Sequence, residues 1–439
     1  MMYDLRPRRI YMLESVREDA AALRRVKRMV AHVGMSMADV RVYSREEAPE
    51  VALELLEWPW GGFSPELPGR RQRALVFVNM VMDGTPGDDP ILLKKPAGVA
   101  LADMRSLLGY VSRLRDTHAP NTDEKQDLVC WNTQDFGIMV GCPHGCQYCG
   151  AGKSGRFITI TANIEEWIDK VVGPTIEAFP QQKCFRLLGW SADIATFEPE
   201  YDAFGPFLAK LAEYPDRYGY FHTAGNNVDW VKDEPNRDRL IGIWSLTTEF
   251  GGEQIEPATP SPAERVEAAR KCQEWGVPLR FKFKPAIPVR GWREQFAREI
   301  RRVFEHTRPE SIGFACLMWM SLERVAKAMP LELLDEEFVA AAEAAKNDLA
   351  GVRVGPFPHE KRKELYQFLI REVRKHDSDV KLYISTESNR MWEELAEELG
   401  QDPHCFACGC NPVQLPGCTL ATSHELPGST FCGTPATRH

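Results

Sequence analysis

Gly141-Cys142-Pro143-His144-Gly145-Cys146-Gln147-Tyr148-Cys149-Gly150 is the stretch on which the reading of this chain turns. Its cysteines stand at Cys-x3-Cys-x2-Cys spacing with glycine at both edges, so it reads as a short loop converging three thiols on one point. Thiolates are soft ligands and suit an iron–sulfur cluster or zinc. Zinc cysteines usually come as a Cys-x2-Cys pair with a second pair far along the chain. Three in one loop instead suit a four-iron cubane in which one iron has no protein ligand and stays open to a small molecule. A zinc knuckle is the alternative reading of the same residues.

Outward from this loop the chain alternates short apolar runs with helical patterns. Phe136–Val140 leads into the loop. Strand-like runs follow at Cys184–Leu188, Tyr218–His222, Ile241–Thr247, Leu279–Phe283 and Ser311–Leu317, with helical spacing at Ile164–Val172, Phe204–Ala212, Pro262–Glu274 and Arg293–His306. Repeated strand–helix units predict an α/β fold with a parallel sheet. About six units fit a partial (β/α)6 barrel, with chemistry at the carboxyl ends of the strands. The expected division is an N-terminal α/β region (1–125), the partial barrel (126–330), a C-terminal helical region (331–400) and a Cys-rich tail (401–439). Val380–Ile384 is a further strand candidate in the third of these.

The 439 residues carry 54 basic and 63 acidic side chains, a net charge of −9, which argues against a general nucleic-acid-binding surface. A local basic groove is still conceivable at Leu279-Arg280-Phe281-Lys282-Phe283-Lys284, which reads equally well as an ordinary two-faced strand. No apolar run approaches the ~20 residues that span a bilayer, and the first residues lack the apolar core of a signal peptide. The expected location is the cytoplasm, with no membrane partner. There, twelve cysteines point to metal or redox chemistry rather than disulfides.

The three-cysteine loop, with an aromatic residue at Tyr148, resembles that of the radical S-adenosylmethionine (SAM) superfamily. Within it, Gly155 to Glu166, Ile255 to Arg270 and Leu382 to Trp392 resemble spore photoproduct lyase and its relatives. The resemblance implies that Cys142, Cys146 and Cys149 hold a [4Fe-4S] cluster whose open iron binds SAM. It further implies reductive cleavage of SAM to a 5′-deoxyadenosyl radical, with electrons from a flavodoxin- or ferredoxin-like protein. By position it places Tyr148 against the adenine, Ser191 and Asp193 near the SAM amino group, and Ser245 near the carboxylate or ribose. Glu249, two strand alternations further on, is a weaker candidate for the same cofactor.

The chain also departs from the lyases. Gly150 stands where they have a second tyrosine, Trp190 where they carry a hydrogen-donating cysteine, and a basic residue expected near Ala224 is missing. These departures favour a small-molecule substrate, such as a nucleoside or natural-product intermediate, over a thymine dimer in DNA. A divergent DNA-repair lyase and a non-enzymatic iron–sulfur or zinc protein are the competing readings.

The tail holds Cys405, Cys408, Cys410, Cys418 and Cys432. The first four are the expected ligands of an auxiliary iron–sulfur cluster, able to relay electrons, bind substrate or donate sulfur. A hydrogen-donating thiol, structural zinc and incidental cysteines are the other readings. Cys130, Cys184, Cys272 and Cys316 are expected in the core.

Overall fold

The computed structural model describes residues 5–56, 73–82, 89–111, 114–117, 128–131, 133–149, 157–190 and 192–420. Its strands are β1 (Ile10–Leu13), β2 (Val40–Tyr43), β3 (Ala74–Val78), β4 (Leu114–Thr117), β5 (Thr133–Val140) and β6 (Phe157–Thr161). They continue with β7 (Cys184–Trp190), β8 (Tyr218–Thr223), β9 (Leu240–Ser245), β10 (Leu279–Ala286), β11 (Ser311–Cys316) and β12 (Lys381–Ile384). All belong to one sheet, ordered β12-β11-β10-β9-β8-β7-β5-β6-β3-β1-β2, with β4 paired to β5.

Strands β5, β7, β8, β9, β10 and β11 are mutually parallel neighbours, and they are the six strands expected of the partial barrel. Further strands lie on either side of these six. At one edge β12 adds to β11 in parallel, so the C-terminal region contributes to the sheet. At the other, β6 runs antiparallel to β5 and then pairs in parallel with β3, which continues to β1 and β2. The boundaries at 125/126 and 330/331 therefore fall within one continuous sheet. An open barrel has two edges of unpaired backbone groups, and each is covered here by further strands.

Period-two alternation sorts the barrel strands into two faces. Outward go Phe136, Phe185, Phe221, Trp244, Phe281, Phe283 and Phe314, in contact with one another and with Trp167, Phe207 and Phe296 of the surrounding helices. Inward go polar groups, among them Asp135, Arg186, His222, Ser245, Arg280, Lys282 and Lys284. Arg186 of β7 and Lys284 of β10 lie within electrostatic reach. Three strand spacings would put them ~14 Å apart in a flat sheet, so the sheet curls around this inner face.

The tail is not an appendage, as far as Leu420. Trp131 Nε1 donates to Phe406 O (3.0 Å), Lys183 N and Cys184 N to Pro412 O (2.6 and 2.9 Å), and Arg280 Nη1 to Gly409 O (3.1 Å). These partners sit at or just before the starts of β5, β7 and β10, so residues 405–418 close the amino-terminal end of the barrel. Phe406 anchors the closure between Trp131 and Trp392. Cys432 lies outside the described residues.

Gly313 of β11 sits between Lys282 of β10 and Tyr383 of β12 in register, and a Cβ there would overlap the Tyr383 ring. Glycine lets Tyr383 reach across β11 to the inner face. Gly313→Ala is expected to cost about 1–3 kcal/mol of stability through overpacking, seen as a lower urea midpoint. An unchanged midpoint would mean that the ring does not depend on this gap.

Candidate functional site

The three-cysteine loop leaves β5 at the carboxyl end of the barrel. Gly141 (φ 96°) and Gly145 (φ 63°) take left-handed conformations there, and a Cβ on Gly141 would stand 2.8 Å from the Phe157 carbonyl oxygen. The loop is tied to the segment after β9. Gln147 N donates to Ile255 O (3.0 Å) and Gln147 Nε2 to Gln254 O (2.9 Å). Tyr148 OH donates to Glu256 Oε1 (2.7 Å), and Arg265 Nη2 holds Glu256 Oε2 (2.6 Å). Both members of this ion pair are buried. Arg265 also donates to Ser245 O (3.0 Å), joining the loop to the end of β9. Arg265 is presented from the helix Pro262–Glu274, whose start is fixed by the Ser261/Glu264 capping box.

Burial pushes the Cys142 thiol up to about 12, helped by Asp193 and Cys149. Cys146 is raised well above the ordinary thiol range, by burial and then by Glu256, Cys142 and Cys149. The three thiols thus feel one another. Among the described residues no three His, Cys, Asp or Glu side chains form a group that could hold a metal ion. A cubane makes a different demand: its cysteines bind different irons and stand further apart than ligands of a single ion. Three soft donors on one loop, with no fourth, fit a [4Fe-4S] cluster with an open iron, and loading would deprotonate them.

Asp193, three residues past β7, is the buried carboxylate beside the loop. Its Oδ2 pairs with His144 Nε2 (2.9 Å) and accepts from Thr223 Oγ1 (2.7 Å) and Ala224 N (2.9 Å). Burial favours the neutral acid, yet the bonds from His144, Thr223 and Ala224 outweigh it and Asp193 stays below the ordinary carboxylate range. Its stabilising contribution is present above about pH 4 and fades as the pH falls through its folded value. Oδ1 is buried and has no hydrogen-bond partner among the described residues. Asp193 therefore fixes the cluster loop through His144 with one oxygen and keeps the other in reserve.

The remaining expected positions divide. Ser245 ends β9, its hydroxyl 2.9 Å from His222 Nε2. Trp190 ends β7 opposite Val140, the last residue before the loop, and Ser191 lies outside the described residues. Glu249 is a correction: the chain leaves the strand after Ser245 and turns into the helix Glu249–Gln254, capped by Thr248. Glu249 there is half-exposed and paired with Arg302 at 2.5 Å, on the helix side of the sheet.

The tail cysteines also divide. Cys408 and Cys410 are free thiols that share a hydrogen bond, and both lie in the field of Cys130. Cys418 accepts from Gln414 Nε2 (3.0 Å), and Gln414 O accepts from Cys184 Sγ (2.8 Å). Cys405 is held by its backbone, its N–H donating to Asp402 O (3.1 Å). The expected set of Cys405, Cys408, Cys410 and Cys418 is thus spread over separate places. Cys130, expected in the core, is half-buried facing Cys410 and Lys284.

Sequence reasoning did not single out His144, Arg186 or His222. The alternation of Arg280, Lys282 and Lys284 was visible, but which face it served was not; it lines the inside of the barrel.

The sequence model for spore photoproduct lyase matches residues 134–327. Spore photoproduct lyase of Bacillus subtilis is 26% identical over 178 residues, 38% of this chain and 48% of that protein, so the match spans about half the length of this curated relative. An α-amylase of Pyrococcus furiosus is 28% identical over 123 residues, 26% of this chain and 18% of that enzyme. Among solved structures, spore photoproduct lyase complexed with dinucleoside spore photoproduct aligns at a TM-score of 0.56 and 14% identity, over 86% of this chain and 98% of that one. A double mutant with bound AdoMet and dinucleoside spore photoproduct aligns at 0.58 and 14%, over 87% and 99%. At these identities the likeness is one of fold.

Glu256→Ala would leave Arg265 buried without its counter-charge, at an expected cost of about 3–5 kcal/mol, measured by denaturant unfolding. Glu256→Ala combined with Arg265→Met should recover much of the loss. If the double variant is no better than the single one, the pair is not the unit that holds the loop.

Proposed function

We propose that this chain, a divergent radical SAM protein resembling spore photoproduct lyase, is an enzyme that reductively cleaves SAM and removes hydrogen from a small-molecule substrate held in its barrel. A [4Fe-4S] cluster, when bound, supplies the electron and the open iron for generating the 5′-deoxyadenosyl radical. Cys142, Cys146 and Cys149 would hold three of its irons. The single observation that carries the reading is Asp193 Oδ1, a buried carboxylate oxygen without a hydrogen-bond partner among the described residues, beside the cluster loop at the carboxyl end of parallel strands.

The chain's own part is to bind and orient. Asp193 Oδ1 accepts from the SAM ammonium, while His144, Thr223 and Ala224 keep the carboxylate ionised and fixed. The Ser245 hydroxyl serves the ribose or the carboxylate. The barrel wall and the tail below it exclude water from a reactive radical. A flavodoxin- or ferredoxin-like protein would supply electrons, in the cytoplasm; among the described residues no helix is long and apolar enough to cross a membrane. A second iron–sulfur cluster, one use of which is sulfur donation, is supported by the meeting of Cys130, Cys408 and Cys410 rather than by the tail alone.

Repair of a dinucleotide lesion is the second reading, favoured by the fold shared with the lyase complexes over most of both chains. The absence of the lyase cysteine at Trp190 weighs against it.

Anaerobic reconstitution is expected to load about four irons, lost in a Cys142/Cys146/Cys149→Ala triple variant, or about eight falling to about four if the second cluster forms, since each cubane holds four. With dithionite and SAM, the loaded protein should release 5′-deoxyadenosine. Asp193→Asn should weaken SAM binding about tenfold or more, the scale of a hydrogen bond to a charged group. A loaded protein that neither binds nor cleaves SAM would end the proposal. Conversion of dinucleoside spore photoproduct to thymidines would replace it with the repair reading.

A further inference from the structure

Below the cluster loop the inner wall of the barrel carries cations for which the cluster loop has no use. Lys284 Nζ donates to Ser385 Oγ (3.0 Å). Among the described residues its charged neighbours are Lys282 and Arg186, both cations, and the thiols Cys130 and Cys410, the second held well below the ordinary thiol range by the bond to Cys408 and by Lys282. Arg186 is occupied by Asp135, and Lys282 Nζ donates to Cys410 Sγ (3.1 Å). Three cations therefore share two counter-charges, Asp135 on Arg186 and Cys410 on Lys282, and Lys284 is the one left over. Such an arrangement costs stability unless an anion joins it, and buried groups kept at that cost mark binding and catalytic sites.

The neighbours of Lys284 are those an oxyanion needs. The β10, β11 and β12 register sets Lys282, Gly313 and Tyr383 in one row, and Phe283, Phe314 and Ile384 in the next. Lys284 and Ser385 follow in the row beyond. Ser245 pairs with Lys282 across β9 and β10, and His222 fixes the Ser245 hydroxyl. The Tyr383 hydroxyl is buried and donates its proton to no described group. Lys284, His222 and Ser245 are half-buried, so each keeps part of its surface accessible. The wall faces the same end of the barrel as the cluster loop.

We infer that this wall is an oxyanion subsite, in which Lys284 and Lys282, with the Ser385, Ser245 and Tyr383 hydroxyls, hold a phosphate or carboxylate group of the substrate. That the ligand is a substrate rests on the function proposed above; that the wall binds an oxyanion does not. The one other source of a carboxylate at this site is SAM itself.

The test uses the full chain with inorganic phosphate and pyrophosphate as probes, against chloride at equal ionic strength. Either probe should raise the melting temperature of the wild type saturably, and Lys284→Met should weaken that binding about tenfold or more. Without a probe, Lys284→Met should melt at or above the wild-type temperature, because it removes an uncompensated charge. Equal stabilisation of both proteins, stabilisation of neither, or a variant that melts lower without a probe would each overturn the subsite. Equilibrium dialysis of SAM on the reconstituted proteins separates the two sources. An unchanged Kd in Lys284→Met supports the substrate assignment, and a tenfold weaker one would overturn it in favour of the SAM carboxylate. Failure of wild-type protein to bind SAM at all would sink the proposed function while the phosphate result stood.

Discussion

The candidate site depends on one buried ion pair. Glu256 and Arg265 are nine residues apart in sequence, with the turn into a capped helix between them, and they close on each other out of reach of water. Glu256 takes the Tyr148 hydroxyl, and Arg265 takes the backbone oxygen of Ser245. The pair thus ties the cysteine loop to the end of a barrel strand. A buried ion pair is a weak source of net stability, because desolvation offsets most of the attraction. Its value here is positional: a loop of glycines and thiols has little packing of its own and is located by the charges it is tethered to.

The same economy runs through β10. Phe281 and Phe283 fill the layer between sheet and helices, while Arg280, Lys282 and Lys284 face inward. One face supplies apolar burial, and the other places charge at three successive depths. Arg280 secures the tail, Lys282 meets Cys410, and Lys284 stands nearest the carboxyl end with the least compensation. The acidic surface of the whole chain says nothing about this interior.

The six-stranded barrel and its cysteine loop were legible because both are local: apolar runs of strand length, helical spacing between them, and ligand residues within one loop. The sheet's extensions were less so. The run Val380–Ile384 reads as a strand, but its pairing with β11 joins residues some seventy positions apart, such as Ile312 and Leu382. Glu249 failed for a local reason: alternation was extended past Ser245, whereas Thr248 offers a cap and the chain turns. The tail was hard to read for the opposite reason. Its cysteines looked like a ligand set of their own, and nothing in their spacing indicates that Cys408 and Cys410 meet Cys130, or that Gln414 separates Cys418 from them.

The tail's position at the amino end of the barrel has a kinetic meaning. With residues 405–418 seated across the strand starts, the described residues close the barrel at its amino-terminal end, as the floor of a vessel whose other end carries the cluster loop. A ligand that enters from that end and reaches the depth of Lys282 and Lys284 passes the place where SAM would lie. Two ligands stacked in such a vessel obey a queue: the deeper one enters first and leaves last. The enzyme proposed here would follow a compulsory order, with substrate loading ahead of SAM, so that the radical forms only over an occupied site.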